Sequence, residues 1–387
     1  MARSQLKKIR VLLTGGGTGG HIYPLAAVAE ALQKQIAGSG YEPDIRYFGD
    51  PKQYREVLEN ASVRVIHITP SKWRRYFDIQ NFFDIFRFLM SVVQGLWKIF
   101  WFMPNVCFSK GGPGAFSVVA VCRFYTVPIV VHESDAIPGL TTKLSSKFAK
   151  LIELSFSEAA AYLPKEKTHL VGNPVRSDLL NVSESKASKI EFGFDSNEPV
   201  VLFLCGSQGA EHINEFVLEN IETLTSKFQV LHQIGSKNYT QYVQQYEFLS
   251  ARFLDKTKAR YKFFPFFTNN ILSAYSSADV VISRAGAGVI FELAALGKPA
   301  ILIPLPTSAN NHQVQNAYQY ERAGAAIVIE EENILPALLM SEVQGIISNQ
   351  EKRSSMEAAG KKFFIADSAN LIASDLLSVS GMQKATG

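Results

Sequence analysis

A strand, a glycine-rich turn and a helix follow one another near the start of the chain, and this order constrains the fold most. Residues 9–14 form a short apolar run, residues 15–20 read Gly-Gly-Gly-Thr-Gly-Gly, and the pattern from Leu25 to Gln35 is helical. Glycines permit a tight turn and leave the N–H groups of the helix N-terminus open to an anion. The sequence therefore predicts a βα unit of a parallel sheet with an anion-binding loop.

The same order returns in the second half, where the apolar run 200–204 leads into a turn at 205–210 and a helical pattern from about Ile213. Helix-length segments separate most of the other short apolar runs, which indicates two α/β domains with parallel sheets. We place the hinge near 172–199 and expect a ligand in a cleft between the domains. The other predicted strands are 45–48, 63–68, 106–109, 129–132, 151–156, 228–233, 261–264, 280–283, 300–303 and 326–329.

Length and composition fit this interpretation. The chain has 387 residues, of which 47% are hydrophobic and 19% charged, and these values are typical of a well-cored protein of about two domains. A net charge of +4 is too weak for a dedicated nucleic-acid binder but suits anionic substrates or an anionic lipid surface. Three cysteines without a CxxC pair suggest neither a disulfide framework nor a thiolate metal site, and they favour a reducing cytoplasm. The polar N-terminus predicts no export signal.

One segment, residues 82–103, is rich in aromatic side chains and approaches the length of a membrane span. Asp84, Arg87 and Lys98 interrupt it, so we do not expect a transmembrane helix. Cations and aromatics alternate just upstream at 72–77, as they do in segments that lie at a membrane interface. Two alternatives stay open at this point: a buried helix of the first domain or an interfacial helix.

The first glycine turn contains the spacing G-x-G-x-x-G at Gly15, Gly17 and Gly20. With Asp50 as the acidic partner, this spacing alone is weak evidence for a dinucleotide. The turn ends instead at His21, the residue there that can exchange a proton near neutral pH. No Walker loop and no metal-ligand spacing occurs, so we expect backbone donors and helix ends to stabilise a leaving phosphate.

Two blocks in the second half carry further polar chemistry. Residues 283–288 follow a predicted strand and open a helix that contains Glu292 and ends at 297–299. Glu292 either binds a ribose diol or is a solvated glutamate of a helix face. A polar loop at 304–313 leads into another helix and either binds sugar hydroxyls or serves as a cap and turn.

The ordered motifs resemble one family, the bacterial N-acetylglucosaminyltransferases that convert lipid I to lipid II in peptidoglycan synthesis. The resemblance runs from Ile9 to about Ala366. It rests on six blocks: 14–24 (TGGGTGGHIYP), 132–140 (HESD followed by PGL), 172–176 (GNPVR), 206–214 (GSQGA followed by Asn214), 283–292, and 312–317 (HQ followed by NA).

The resemblance implies an α/β protein of the GT-B fold, in which two Rossmann-like domains with parallel sheets face a central cleft. It implies an acceptor and membrane-associated domain at 1–175, with a C-terminal helix at about 366–387 packed back on it, and a donor domain at 176–365. The donor is UDP-N-acetylglucosamine, and the acceptor is lipid I, undecaprenyl-diphosphate-MurNAc-pentapeptide. The acceptor 4-hydroxyl displaces UDP with inversion, and no cofactor or metal is implied.

The family location implied is the cytoplasmic face of the cell membrane, with peripheral attachment to anionic lipid through about 72–103 and cell-wall synthesis proteins as further partners. His21 is the implied general base, and Glu133 is the alternative base. The remaining implied site residues bind substrate. Thr18, Gly19 and Gly20 belong to the first loop, near the acceptor diphosphate and the donor. Asp135 occupies a substrate-binding position where the family usually has Asn. The positions that match the donor and its sugar are Arg176, Ser207, Thr268, Ala287, Gly288, Glu292, His312 and Gln313.

Two other functions share the predicted scaffold. A UDP-N-acetylglucosamine 2-epimerase would use the same nucleotide site but needs no lipid-facing surface. The third is a non-catalytic sugar-nucleotide sensor or scaffold, and the intact His21, Glu292 and Gln313 argue against it. We favour sugar transfer because the aromatic segment and His21 occur together, although a fold alone does not separate the three functions.

Overall fold

The computed structural model describes residues 7–70, 80–112, 114–182, 184–206, 208–268 and 270–382, with the backbone alone for 80–83 and 181. Ser207 and the cationic part of the aromatic segment, 72–77, lie outside the described residues. The chain divides into two compact units: Met1–Arg176 with Ile365–Gly387, and Ser177–Phe364.

The first unit is built on a seven-stranded parallel sheet with the order β3-β2-β1-β4-β5-β6-β7. Its central strands are buried on both faces, as the continuous apolar runs predict. The strands are β1 (Lys7–Thr14), β2 (Tyr41–Gly49), β3 (Arg64–His67), β4 (Val106–Ser109), β5 (Ile129–Glu133), β6 (Leu151–Leu154) and β7 (Thr168–Leu170). The helices are α1 (Gly19–Ile36), α2 (Arg55–Asn60), α3 (Gln80–Phe102), α4 (Ala115–Phe124) and α5 (Leu140–Ser145).

The second unit repeats the design with six parallel strands in the order β10-β9-β8-β11-β12-β13. Its strands are β8 (Val200–Leu204), β9 (Gln229–Gln233), β10 (Tyr261–Phe264), β11 (Val280–Ser283), β12 (Ala300–Leu302) and β13 (Ala326–Val328). Its helices are α6 (Lys186–Glu191), α7 (Glu211–Glu219), α8 (Ile221–Thr225), α9 (Tyr239–Ser250), α10 (Asp255–Arg260), α11 (Ile271–Ser277), α12 (Ala287–Leu296), α13 (His312–Arg322), α14 (Pro336–Ser348) and α15 (Gln350–Phe363). The last helix, α16 (Ser368–Val379), returns to the first unit and packs on α1.

The start of α1 differs from the sequence prediction. The helix begins at Gly19 rather than at Leu25, and Pro24 lies inside it without ending it. The backbone N–H groups of His21 and Ile22 both donate to the carbonyl of Thr18 at 3.0 Å, so the first turn is formed before Pro24 is reached. His21 is therefore a residue of the first helical turn. Its own N–H is bonded to Thr18, and the N–H groups of Gly19 and Gly20 just before it are those that can bind an anion.

Helix α3 is neither of the two alternatives in pure form. One face packs on the first unit: Ser91 Oγ lies 2.6 Å from Ser117 Oγ of α4, and the Lys98 ammonium donates to the carbonyl of His67 at 2.6 Å. By length and composition alone, residues 84–102 could cross a membrane, and 22% of this stretch is buried. Our expectation from the interrupting charges, that this helix does not span a membrane, stays a prediction. The opposite face exposes a ridge of apolar side chains, the α3 ridge, made of Ile85, Phe86, Leu89, Met90, Val93, Trp97, Phe100 and Trp101.

Candidate active site

Each sheet reverses its strand order beside its first strand. In the first unit, β1 lies between β2 and β4, and in the second unit β8 lies between β9 and β11. In open parallel sheets, ligands bind outside the carboxyl ends of the strands at this switch point. The two glycine turns predicted from the sequence, 15–20 and 206–209, follow β1 and β8 and therefore lie at the two switch points.

His21 is enclosed by glycines at the first switch point. A Cβ on Gly16 would lie 3.1 Å from its Nδ1, and a Cβ on Gly112 would lie 2.9 Å from its Nε2. Gly112 has φ of +85°, which side chains rarely adopt, so both conformation and space require glycine there. Gly112 follows β4 and was not among the predicted site residues. The absence of a Cβ lets the backbone of Gly112 pack closely against His21 Nε2 and the backbone of Gly16.

The other nitrogen of His21 is held by Thr18, whose Oγ1 lies 2.7 Å from Nδ1. When Nδ1–H donates to this hydroxyl, Nε2 keeps its lone pair and can accept a proton. Burial, and then the positive charge of Lys110, lower the pKa of His21 to about 4, while Asp135 opposes the shift. The imidazole is thus neutral near pH 7, which is the form that a general base needs.

Glu133, the alternative base, ends β5 and is buried. Its Oε1 accepts the N–H of Asp135 at 3.0 Å, and its Oε2 accepts the N–H of Gly139 at 3.1 Å. Both oxygens therefore hold the loop that precedes α5. Burial and then the charge of Asp135 raise its pKa to about 7. This geometry favours a positioning role for Glu133, in which it places Asp135 near His21.

The raised pKa of Glu133 predicts a pH-dependent stability. The folded state binds the proton more tightly than the unfolded state, so the stabilising contribution is complete below about pH 4.5 and is lost as pH rises through about 7. The free energy of unfolding of the wild type, minus that of Glu133→Gln, should fall across this window. Urea unfolding of both proteins at stepped pH measures the difference; two parallel curves would contradict the assignment.

Lys110, His132 and Asn173 form a buried, hydrogen-bonded group, which the sequence analysis did not predict. The Lys110 ammonium donates to His132 Nδ1 at 2.7 Å and to Asn173 Oδ1 at 2.6 Å. His132 and Asn173 belong to recognised motifs, but Lys110 belongs to none of the six blocks. A lysine after a buried strand gives no sequence signal of its own, because lysines are usually exposed.

The turn after β8 packs tightly against the turn after β9. Gly209 has φ of +83°, and a Cβ on Gly235 would lie 2.3 Å from the Gly209 backbone nitrogen. Cys205, at the start of this turn, is buried, and burial raises the pKa of its thiol to about 12. Cys205 is therefore a packing residue rather than a nucleophile. Ser207, the predicted diphosphate contact, lies outside the described residues.

The Glu292 carboxylate is fixed by a hydrogen bond, so Glu292 is not the solvated glutamate of a helix face that the sequence left open. It lies on α12, which begins at Ala287 directly after the switch-point strand β11. The Tyr275 hydroxyl donates to Glu292 Oε2 at 2.6 Å, and Glu292 is half-buried. Tyr275 was not predicted. Gly286 precedes the helix and would meet nothing within 4 Å if it carried a Cβ, so the structure is open at this position before the helix N-terminus.

His312 and Gln313 open α13, as the family pattern implies. The His312 Nδ1–H donates to the carbonyl of Ala309 at 2.7 Å, which leaves Nε2 as an acceptor in the neutral ring. Gln313 Oε1 accepts the N–H of Leu305 at 3.1 Å, so its side chain is oriented by the loop that follows β12. Thr268 is exposed in the loop after β10.

Arg176 is the last residue of the first unit, whereas the sequence placed it first in the donor domain. Its guanidinium lies 5.1 Å from the ring centroid of Tyr23 on α1, a cation–π contact. The structure therefore groups Arg176 with the first glycine loop. Its predicted role in donor binding stays a prediction.

Two doubly wound parallel sheets, each with a glycine turn and a helix N-terminus at its switch point, define the GT-B class of nucleotide-sugar proteins. No cluster of three or more His, Cys, Asp or Glu side chains suited to a metal occurs among the described residues. Within the GT-B class, the chain belongs to glycosyltransferase family 28. The family's N-terminal domain matches residues 11–153, and its C-terminal domain matches residues 200–372.

Curated relatives agree over most of the chain. A UDP-N-acetylglucosamine--N-acetylmuramyl-(pentapeptide) pyrophosphoryl-undecaprenol N-acetylglucosamine transferase of Clostridium botulinum (strain Langeland) is 34% identical over 343 residues, 88% of this chain and 92% of the relative. The Clostridium tetani protein of the same name is 34% identical over 89% of this chain and 92% of its own length. The sequence prediction of this family is confirmed.

Solved structures confirm the predicted fold. MurG of Acinetobacter baumannii superposes with a TM-score of 0.69 at 21% identity, covering 96% of this chain and 99% of that one. A UDP-GlcNAc 2-epimerase of Neisseria meningitidis superposes with a TM-score of 0.68 at 14% identity, covering 96% of this chain and 100% of that one. The two scores are nearly equal, so the likeness in fold does not separate transfer from epimerisation.

Proposed function

We propose that this chain transfers N-acetylglucosamine from UDP-N-acetylglucosamine to the 4-hydroxyl of MurNAc in undecaprenyl-diphosphate-MurNAc-pentapeptide, so that lipid I becomes lipid II and UDP is released. The observation that carries the proposal is the 34% identity, over nearly the full length of both chains, to transferases named for this reaction. The geometry of His21 supports it, because the contact of Nδ1 with the Thr18 hydroxyl leaves a neutral imidazole whose Nε2 lone pair suits removal of a hydroxyl proton.

The first unit provides the acceptor side of the reaction. The N–H groups of Gly19 and Gly20 at the start of α1 bind the acceptor diphosphate, helped by the positive end of the helix dipole. His21 Nε2 accepts the proton of the 4-hydroxyl as the oxygen forms a bond to the anomeric carbon. The bond between that carbon and the UDP oxygen breaks from the opposite face, and UDP departs with the electron pair. A bound diphosphate also raises the pKa of His21, because a nearby negative charge favours the imidazolium.

The second unit binds the donor. The N-terminus of α12 faces the diphosphate, and Glu292 accepts hydrogen bonds from the ribose hydroxyls while Tyr275 fixes its orientation. His312 and Gln313 bind hydroxyls of the sugar. Thr268 contacts the uracil through its backbone. These donor contacts are inferred from the family motifs and from the positions of the residues after β10, β11 and β12.

The protein binds the cytoplasmic face of the cell membrane peripherally, and the α3 ridge is the lipid-contacting surface. Trp97 and Trp101 are 65% and 69% exposed, and Phe86 is 63% exposed on the same helix face. A helix that packs one face on its own domain and exposes aromatics on the other suits the headgroup boundary. We predicted from the sequence that residues 72–77 also bind anionic lipid. These residues lie outside the described part of the chain, so this stays a prediction.

Replacing both Trp97 and Trp101 with serine should weaken binding to vesicles rich in anionic phosphatidylglycerol by about tenfold or more, because two aromatic side chains leave the headgroup boundary. Co-sedimentation measures the partition constant. The matched control is Phe248→Ser, which removes an aromatic that is 83% exposed on the second unit and should leave binding unchanged. Equal binding by the double variant and the wild type would contradict the assignment of this surface.

The proposed reaction is tested by incubating the protein with labelled UDP-N-acetylglucosamine and a short-chain lipid I analogue. Disaccharide product supports transfer. Release of UDP with formation of N-acetylmannosamine, or of its UDP conjugate, without disaccharide would instead establish epimerisation. Firm binding of UDP-N-acetylglucosamine without any turnover would favour the sensor.

A further inference from the structure

We propose that Lys110 is a positioning residue for the reaction: its buried ammonium fixes the loop after β4 against His21 and places a positive charge behind the imidazole. The inference rests on the proposed function and deepens it. Lys110 lies outside every motif that identifies the family, and it is only 3% exposed. A buried lysine is costly unless it is paired, so its retention here calls for a reason.

Lys110 joins three parts of the first unit. Its backbone N–H donates to the carbonyl of Thr14, the last residue of β1, at 2.9 Å. Its ammonium donates to His132 on β5 and to Asn173 in the turn after β7. His132 Nε2–H in turn donates to the carbonyl of Gly172 at 2.9 Å, so this imidazole is neutral and its Nδ1 accepts from the lysine. The result is a closed set of hydrogen bonds beneath the switch point.

This arrangement reaches His21 through two glycines. A Cβ on Gly15 would lie 3.3 Å from Lys110 Cβ and 3.6 Å from His21 Cβ, so Gly15 separates the two side chains. The backbone of Gly112, two residues after Lys110, packs against His21 Nε2, because a Cβ there would lie 2.9 Å from that nitrogen. Holding Lys110 therefore holds the backbone that faces the reactive nitrogen. Two further glycines of the loop after β4, Gly111 and Gly114, have positive φ, a conformation that other residues rarely adopt.

The charge of Lys110 acts on the same imidazole. The charged or titratable groups around Lys110 and His21 come from four elements: His132, Glu133 and Asp135 at the end of β5, Glu153 on β6, His21 on α1, and Lys110 itself after β4. Burial lowers the pKa of Lys110 to about 7, and Glu133, Asp135 and Glu153 oppose this shift. Lys110 lowers the pKa of His21, so it helps to keep the base unprotonated before the acceptor binds.

Lys110→Met tests the proposal, since methionine fills similar space without charge or donors. We expect kcat to fall about tenfold, because the loop facing His21 loses its anchor, while the KM for UDP-N-acetylglucosamine stays unchanged. We also expect the acid limb of kcat/KM to move upward by about one pH unit. Lys298→Met is the matched control: Lys298 is 4% exposed in the second unit, and its loss should lower stability without moving the acid limb.

The titration of His21 by NMR gives a readout that does not depend on turnover, with His21→Gln used to assign the signal. An upward shift in Lys110→Met supports the proposal. An unchanged titration and acid limb, with only a lower melting temperature, would make Lys110 merely structural and overturn it. If Lys110→Met does not fold, Lys110→Arg serves instead: it retains the charge and should leave the His21 titration near that of the wild type, and an upward shift there would overturn the proposal. If wild type transfers no sugar, the proposed function fails, while the NMR titration still tests the effect of Lys110.

Discussion

Replacing His21 with alanine is expected to lower kcat for transfer to a lipid I analogue by about a hundredfold or more. A positioned general base contributes factors of this size, and His21 is a neutral imidazole whose Nδ1 is held by Thr18, which leaves the Nε2 lone pair to accept a proton. The KM for UDP-N-acetylglucosamine should change little, because Glu292, His312 and Gln313, which are proposed to bind the donor, belong to the second unit. Steady-state rates with a labelled donor measure both parameters.

The control for this variant is His67→Ala, which removes an exposed imidazole at the end of β3 in the same unit and should leave kcat within about twofold. Thr18→Val gives an intermediate test, since it removes the hydroxyl 2.7 Å from His21 Nδ1 but keeps the imidazole. A nearly normal kcat for His21→Ala would show that another residue is the general base. Glu133 would then be the next residue to substitute, although both of its oxygens accept backbone N–H groups.

Replacing Glu292 with glutamine should raise the KM for UDP-N-acetylglucosamine by about 10–100-fold. Hydrogen bonds to a charged group contribute about 1.5–3 kcal/mol, and each 1.4 kcal/mol corresponds to a factor of about ten. Tyr275→Phe should cause a smaller rise, because the carboxylate stays but its 2.6 Å hydrogen bond is lost. Calorimetric titration with UDP measures the binding directly.

The matched control for Glu292→Gln is Glu219→Gln, an exposed glutamate at the end of α7, whose loss should leave UDP affinity unchanged. UDP affinity of Glu292→Gln within twofold of the wild type would show that this carboxylate does not bind the ribose. It would also favour the simpler view that Tyr275 and Glu292 form a structural pair between α11 and α12.

Several parts of the fold could be predicted from the sequence because local patterns determine them. The strands at 106–109, 200–204, 261–264 and 280–283 have the predicted bounds, since each is a short apolar run bounded by turn residues. The strand β7 was not predicted, because a segment of three residues that includes Thr168 and His169 is too short and too polar to form such an apolar run. The start of α1 was predicted too late, because a proline such as Pro24 usually marks a helix boundary. In the structure the helix begins at Gly19, and the carbonyl of Thr18 accepts its first N–H groups.

The sequence by itself determined the order of strands, helices and glycine turns, and with it the family and the candidate residues of each loop. Only the tertiary structure decided which side chains meet. Parallel strands far apart in sequence end at one sheet edge, so Lys110, His132 and Asn173 become hydrogen-bonded across 22 to 63 residues of chain. The hydrogen bond from Tyr275 to Glu292 and the close approach of Gly112 to His21 likewise join residues that are far apart in the sequence. Burial, which sets the pKa of His21, Lys110 and Glu133, also depends on packing from several elements and so has no local signal in the sequence.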